Sequence, residues 1–181
     1  PFSLENAGRR PVLTFSDIDN DGDKDAFAGL QNGDIVYWKN IGTYSTAIFD
    51  TSIINPFGLN VMGSHAVPAF ADLDGDGDHD AMIGEYSSGL HFFENTGTPI
   101  SPAFSFVQTN PFGITSYYNF NAPRFADTDN DGDQDLYVGK YGEVVFYFEN
   151  TGISTSPTFA APQWSNLGQG RGGFIVPAFS Y

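Results

Sequence analysis

Cysteine is absent from the 181 residues, so neither a disulfide nor a thiolate metal site holds this fold. There is no apolar run of the roughly 18 or more residues a membrane helix needs, no Asn-x-Ser/Thr sequon and no visible signal peptide. Positive charge is scarce: seven Lys and Arg stand against 22 Asp and Glu, with three His, for a formal charge of −15. That balance excludes nucleic acid as a partner, because phosphate backbones are met by clustered Lys and Arg. Helical periodicity is missing as well. Pro and Gly, 11 and 21 residues, recur too often for any segment to keep a helical period beyond two turns.

What is present is a triplicated acidic phrase. Asp17 to Asp25 (DIDNDGDKD), Asp72 to Asp80 (DLDGDGDHD) and Asp127 to Asp135 (DTDNDGDQD) start 55 residues apart, each with Asp at positions 1, 3, 5, 7 and 9 and Gly at 6. A chain wrapping around a hard cation turns alternate side chains inward, and Gly permits the sharp turn, so the spacing is that of a calcium loop. Side-chain ligands are expected from Asp17, Asp19, Asp21 and Asp25, from Asp72, Asp74, Asp76 and Asp80, and from Asp127, Asp129, Asp131 and Asp135. At position 7, Asp23, Asp78 and Asp133 are expected to offer their carbonyls and leave their side chains to solvent or an outer contact. About three Ca²⁺ per chain follow.

An EF-hand would place a bidentate Glu at position 12, between helices. Position 12 here is Ala28, Ile83 or Val138, and the runs after the loops, AFAGL, AMIGE and LYVGK, read as strands. Charge distribution agrees with a metal: 15 of the 22 acids lie in the three loops, and the seven outside balance the seven Lys and Arg. A solvated turn has no need of such concentration. Two carboxylates about 5 Å apart at an effective dielectric near 20 repel by roughly 3 kcal/mol, which a bound cation would remove.

The repeat extends beyond the loops. Phe15, Phe70 and Phe125 fall in register, with Pro11, Pro68 and Pro123 just upstream; so do Gly29, Gly84 and Gly139, then Asn40, Asn95 and Asn150, then Phe49, Phe104 and Phe159. DIVYWKN, GLHFFEN and EVVFYFEN, each preceded by a Gly turn, are the strongest predicted strands. A looser fourth strand is expected around IFDTSII, FSFVQTN and TFAAPQW, closing with NPFG at residues 55 to 58 and 110 to 113. Four antiparallel strands per unit predict an all-β chain of about three β-propeller blades. Stacked blades bury both faces of their strands, which suits the 16% aromatic content. The expected organisation is one array over 1–181, with units at about 11–67, 68–122 and 123–176 and a fourth starting at 177–181. Pro177 and Phe179 repeat the PxF signature, but Tyr181 stands where the other units begin their loops.

FADLDGDGDHDAMIGEYSSGLHFFENTGTP and FADTDNDGDQDLYVGKYGEVVFYFENTG resemble FG-GAP or VCBS-type repeats, the calcium-loop blades of integrin alpha-subunit propellers, several propeller lectins and large bacterial secreted proteins. The resemblance covers essentially the whole chain and implies calcium between the first two strands of each blade. It carries no ligand-binding residue to a numbered position. Closed propellers of that kind have more blades than three, so the expectation is a partial propeller, continued by further blades or completed by other chains.

The leading expectation for function is a non-catalytic, calcium-stabilised binding or adhesion module, extracellular or at a cell surface, of bacterial origin, with a protein or glycan ligand. The alternative is a lectin, with Trp38, Tyr117, Tyr118 and Trp164 as candidate sugar platforms; blade packing is the commoner role for any one of them, and Tyr117, Tyr118 and Trp164, in looser segments, are better candidates than Trp38 in its core strand. A propeller polysaccharide lyase is less favoured. His65, His79 and His91 form no catalytic phrase, and Glu85, Glu94, Glu143 and Glu149 fall at strand ends set by the repeat. Arg9, Arg10, Arg124 and Arg171 are candidates for contacting an acidic ligand or for surface solubility.

Overall fold

The computed structural model describes residues 4–5, 7–60, 63–115, 120–142, 144–166 and 175–178, with the backbone alone at 165–166. Glu143, Tyr117, Tyr118, Arg171, Phe179 and Tyr181 lie outside the described residues. Among those described, twelve strands form three antiparallel four-stranded sheets, each in chain order. The first holds β1 Val12–Ser16, β2 Asp25–Gly29, β3 Ile35–Trp38 and β4 Ile53–Ile54. The second holds β5 Val67–Ala71, β6 Asp80–Gly84, β7 Leu90–Asn95 and β8 Phe104–Thr109, and the third β9 Ala122–Ala126, β10 Asp135–Lys140, β11 Val144–Phe148 and β12 Gln163–Asn166. Register places each acidic loop with care. Ser16 pairs Asp25, Ala71 pairs Asp80 and Ala126 pairs Asp135, so every loop closes the hairpin between the first two strands of its sheet.

The sheets stack face to face as propeller-type blades. Phe27, Ile35 and Tyr37 of the first meet Ala81, Ile83, Phe93 and Phe104 of the second. Met82, Leu90 and Phe92 on the far side of the second meet Leu136, Val138, Phe148 and Phe159 of the third. Each such side chain contributes about 1.5–3 kcal/mol by leaving water, so the blade interfaces form the core. β2 and β6 are buried along their whole length, which is why neither shows polar alternation.

Blades also meet through the main chain. The amides of Ala66 and Asn121 donate to the carbonyls of Leu30 (3.0 Å) and Glu85 (3.1 Å), tying the lead-in of one blade to the second strand of the blade before. This approach requires glycine. A Cβ at Gly29, Gly84 or Gly139 would sit 2.1, 2.0 and 2.0 Å from the carbonyl oxygens of Ala66, Asn121 and Ile175. Ile175 thus meets the third blade as Ala66 meets the first.

The stack is asymmetric. The outer face of the first blade, with Ala26, Val36 and Trp38, is covered by Leu4, Ala7 and Phe49, and Trp38 Nε1 donates to the Glu5 carbonyl at 3.1 Å. Tyr137, Val145 and Tyr147 of the third blade, equivalent in register to Phe27, Ile35 and Tyr37, are only half-buried.

Sequence and structure part at the fourth strands. They run over Ile53–Ile54, Phe104–Thr109 and Gln163–Asn166, and NPFG leaves the strand instead of completing it. Asn55 is left-handed (φ 51°) and is followed by a 3-10 turn at Pro56–Gly58. Its amide donates to the Ile35 carbonyl at 2.7 Å while its Oδ1 accepts from the Ile35 amide at 2.9 Å; Asn110 repeats this with Leu90 at 2.7 and 3.0 Å. One Asn thereby satisfies both main-chain groups that a longer strand would have paired. Phe57 and Phe112 also take positive φ (57° and 56°), costly for bulky residues, and in exchange pack edge-on at 5.0 Å against Tyr37 and Phe92.

Candidate metal centres

In each loop the chain bends at two left-handed positions. Position 6 is Gly22, Gly77 or Gly132, with φ of 93–95° and nothing near enough to clash with a Cβ, so backbone conformation alone selects glycine there. Position 4 is Asn20, Gly75 or Asn130 at φ 54°, 75° and 62°, residue types that tolerate this region. The first Asp then braces the bend. Asp17 accepts from the amides of Asp21 (3.1 Å) and Gly22 (3.0 Å), Asp72 from Gly75 (2.7 Å) and Gly77 (3.1 Å), and Asp127 from Asn130 (2.8 Å) and Gly132 (3.2 Å).

The bend gathers carboxylates. Oxygens of Asp17, Asp19 and Asp21, of Asp72, Asp74 and Asp80, and of Asp127, Asp129 and Asp131 lie within 4.8 Å of one another. Asp76 stays beside its group, accepting from the Asp78 amide at 3.0 Å.

Of the two settings expected for the position 7 side chain, solvent and an outer contact, the structure leaves out the first. Asp23, Asp78 and Asp133 are 7, 5 and 7% exposed, not turned to solvent. Position 7 lies two residues before position 9 in the lead-in to the second strand, where alternate side chains share a side. One oxygen of each, with Asp19 Oδ1, is buried without a hydrogen-bond donor among the described residues. Burial and the neighbouring carboxylates push Asp23 and Asp133 above the ordinary range and Asp78 up to about 6. Buried, negatively charged oxygens with no donor call for a cation.

Position 9 has a different setting. Asp25, Asp80 and Asp135 are 1% exposed and accept from the amides of Asn40, Asn95 and Asn150 at 2.6, 2.8 and 2.9 Å. Their second oxygens take Tyr37 Oη (3.2 Å), the Leu73 amide (3.1 Å), and Thr128 Oγ1 with Tyr147 Oη (2.6 and 3.1 Å). Burial raises Asp25 to about 6 and Asp80 to about 7. The Asn side chains pass the order outward: Asn40 Oδ1 accepts from Gly42 and Ile48, Asn95 from Gly97 and Ala103, Asn150 from Gly152 and Thr158, at 2.9–3.1 Å. The repeated Asn thus links loop, third strand and the connection to the fourth.

An all-oxygen, mostly carboxylate donor set with orphaned buried atoms fits a hard divalent ion. The first loop also holds an internal cation. Lys39 Nζ bonds Asp19 and lies 3.4 Å from Asp21 Oδ2, a feature that loop spacing alone did not reveal.

The other candidate residues are dispersed. His65 packs on Tyr86 (ring centroids 5.6 Å apart), His79 Nδ1 meets Ser16 Oγ at 2.7 Å, and His91 meets Thr109 Oγ1 at 3.1 Å. Glu85 is fully buried and accepts from Ser64 and Ser87 amides at 3.1 Å and from Ser88. Burial acts to raise its pKa, but bonds from Ser88, Ser64 and Ser87 outweigh it and hold the carboxyl below its ordinary value. Trp38 is core, whereas Trp164 is 68% exposed. Among the described residues no helix is long and apolar enough to cross a membrane.

Four-stranded antiparallel blades, stacked through aromatic faces and each carrying an acidic loop between its first two strands, define a propeller-type repeat protein. The FG-GAP-like repeat model matches residues 17–83 and 72–138, more than half of the sequence, and the chain belongs to that family. No curated protein matches it.

Proposed function

We propose that this chain is a non-catalytic binding module whose blades are stiffened by calcium, one ion per acidic loop. The observation that carries this is the orphaned oxygen of Asp23, Asp78 and Asp133, repeated in three loops beside gathered carboxylates. Positions 1, 3 and 5 supply side-chain ligands, position 7 adds its carbonyl or its buried carboxylate, and the carboxylate at position 9 completes the cage or orients it. Calcium there would supply only charge neutralisation and cross-linking. The residues do the rest, joining the end of each first strand to the start of the second and, through Asn40, Asn95 and Asn150, to the third.

Calcium sites filled at extracellular concentrations favour work outside the cell or at its surface. The half-buried Tyr137, Val145 and Tyr147 favour continuation of the stack by a further blade, from this polypeptide or another copy. Exposed Trp164 favours a glycan ligand as the second reading. The test is calorimetric titration of chelator-stripped protein with calcium: about three ions per chain are expected, and a protein that takes up none overturns the proposal.

A further inference from the structure

The inner strands β1, β5 and β9, together with residues 176–178, border an open pocket of about 780 Å³ whose wall repeats with the blades. Phe15, Phe70 and Phe125 line it, one from each inner strand, and so do Lys24, His79 and Gln134, the eighth residue of each acidic loop. The phenylalanines keep one chemistry in all three blades; the loop residues carry a different one in each.

Arg124 spans this pocket. Its Nη1 donates to the carbonyls of Pro68 (3.1 Å) and Pro123 (2.7 Å) and its Nη2 to that of Leu13 (3.3 Å), one carbonyl on each inner strand. These bonds position the guanidinium without neutralising it. The ion pairs among the described residues both belong to Lys39, so Arg124 and Lys24 face the pocket with no carboxylate partner in a chain of charge −15. Nε–H of Arg124, one Nη2–H and the Nε2 of His79 have no partner among the described residues. Asp17 also borders the pocket, but both its oxygens accept from loop amides. A half-buried cation held only by neutral carbonyls is costly unless an anion joins it.

We propose that this open pocket binds a small carboxylate-bearing ligand, with Arg124 and Lys24 on the carboxylate and the exposed Phe15 ring against the ligand's body, while Phe70 and Phe125, packed into the blade interfaces, offer only their edges. Planar guanidinium donors match two carboxylate oxygens. A single negative charge meets less repulsion from the surrounding loops than a phosphate dianion would. The proposal deepens the reading as a binding module: calcium uptake tests the blades and carboxylate binding tests the pocket, so either can fail alone.

The experiment is isothermal titration of the calcium-loaded protein, at about 0.1 M salt to limit screening, with benzoate and glucuronate, their uncharged counterparts benzyl alcohol and glucose, and inorganic phosphate. Binding of one or both carboxylates is expected, benzoate or glucuronate showing whether the ligand's body is aromatic or a sugar. Arg124→Gln should weaken it at least about tenfold, as loss of a charge-assisted donor pair demands. Lys24→Gln, at an exposed position and checked for unchanged calcium stoichiometry, should weaken it about threefold, within the range of an exposed charge interaction. Failure of both carboxylates to bind, equal binding of the uncharged counterparts, preference for phosphate, or unchanged affinity in Lys24→Gln would each overturn the proposal, the last even if Arg124→Gln does not fold.

Discussion

The first acidic loop and the other two carry the same five aspartates, yet different residues approach them from the third strand. Trp38, Phe93 and Phe148 hold equivalent register positions, and the next residue is Lys39, Glu94 or Glu149. Lys39 reaches back into its own loop and bonds Asp19 beside Asp21. The second and third loops have an acid at that place, and among the described residues no lysine or arginine forms an ion pair with them. Identical acidic phrases therefore sit in unequal electrostatic settings: the first has one lysine against its five carboxylates, whereas the others have a glutamate at the equivalent position.

Removing calcium from all three loops should have the largest effect. At a hundredfold excess over its dissociation constant each ion contributes about 2.7 kcal/mol, so three independent sites give roughly 8, comparable with the stability of a typical domain. Differential scanning calorimetry with and without EDTA should show a large fall in Tm. Coincident melting curves would leave the metal no structural role and the comparison of loops no content.

Emptying one loop at a time separates the two kinds of site. Asp76→Ala should reduce calcium stoichiometry from about three to two and forfeit about 2.7 kcal/mol at the same excess. Asp21→Ala in the first loop should cost less at equal free calcium, because Lys39 already offsets part of the charge there. Equal losses from the two variants would mean that Lys39 has no bearing on the first site.

A second place in the repeat also changes chemistry between blades. After the close-packed Gly29, Gly84 and Gly139 come Leu30, Glu85 and Lys140, 8, 0 and 6% exposed. Lys140 Nζ bonds Asn121 Oδ1 and lies 5.8 Å from the Phe146 ring, and burial lowers its pKa from 10.5 to about 8. The folded state therefore holds fewer protons than the unfolded chain between pH 8 and 10.5, and the stability of the folded state rises with pH across that window. Between pH 8 and 9.5 the gain is about 2 kcal/mol at most. Lys140→Met should remove this rise; urea midpoints at both pH values measure it, and parallel shifts in wild type and variant would show that Lys140 is charged in both states.

Much of the fold was legible because the repeat ties independent signals to one period. The loops, the aromatic third strands and the glycines between them mark strand ends three times over, and blade stacking follows from strands with no polar face. The fourth strands were blurred because they lie at the sheet edge: β8 is exposed over five of its six residues, so no burial pattern marks its limits. Asn55 and Asn110 read as the end of a strand because their role rests on a left-handed backbone and one side-chain oxygen. Five carboxylates per loop were readable; the inward turn of Asp23, Asp78 and Asp133 was not, since it depends on how the loop enters the second strand. Contacts across blades were out of reach altogether. Nothing in local spacing brings Arg124 to the carbonyl of Leu13, 111 residues away.

The smallest expected effect is also the most direct test of the unequal loops. Lys39→Glu gives the first blade the residue type of Glu94 and Glu149 and removes the internal cation. Exposed ion pairs are worth up to about 1 kcal/mol, so losing this half-exposed one should tighten calcium binding at the first loop by about fivefold. Lys39→Met separates charge reversal from simple loss of the competing ammonium and should give most of the same gain. In calcium-free protein both variants should instead melt lower than wild type, because Asp19 and Asp21 then face each other without the lysine. A protein whose first site binds no tighter after either change would place Lys39 outside the cage, held by the loop without competing for it.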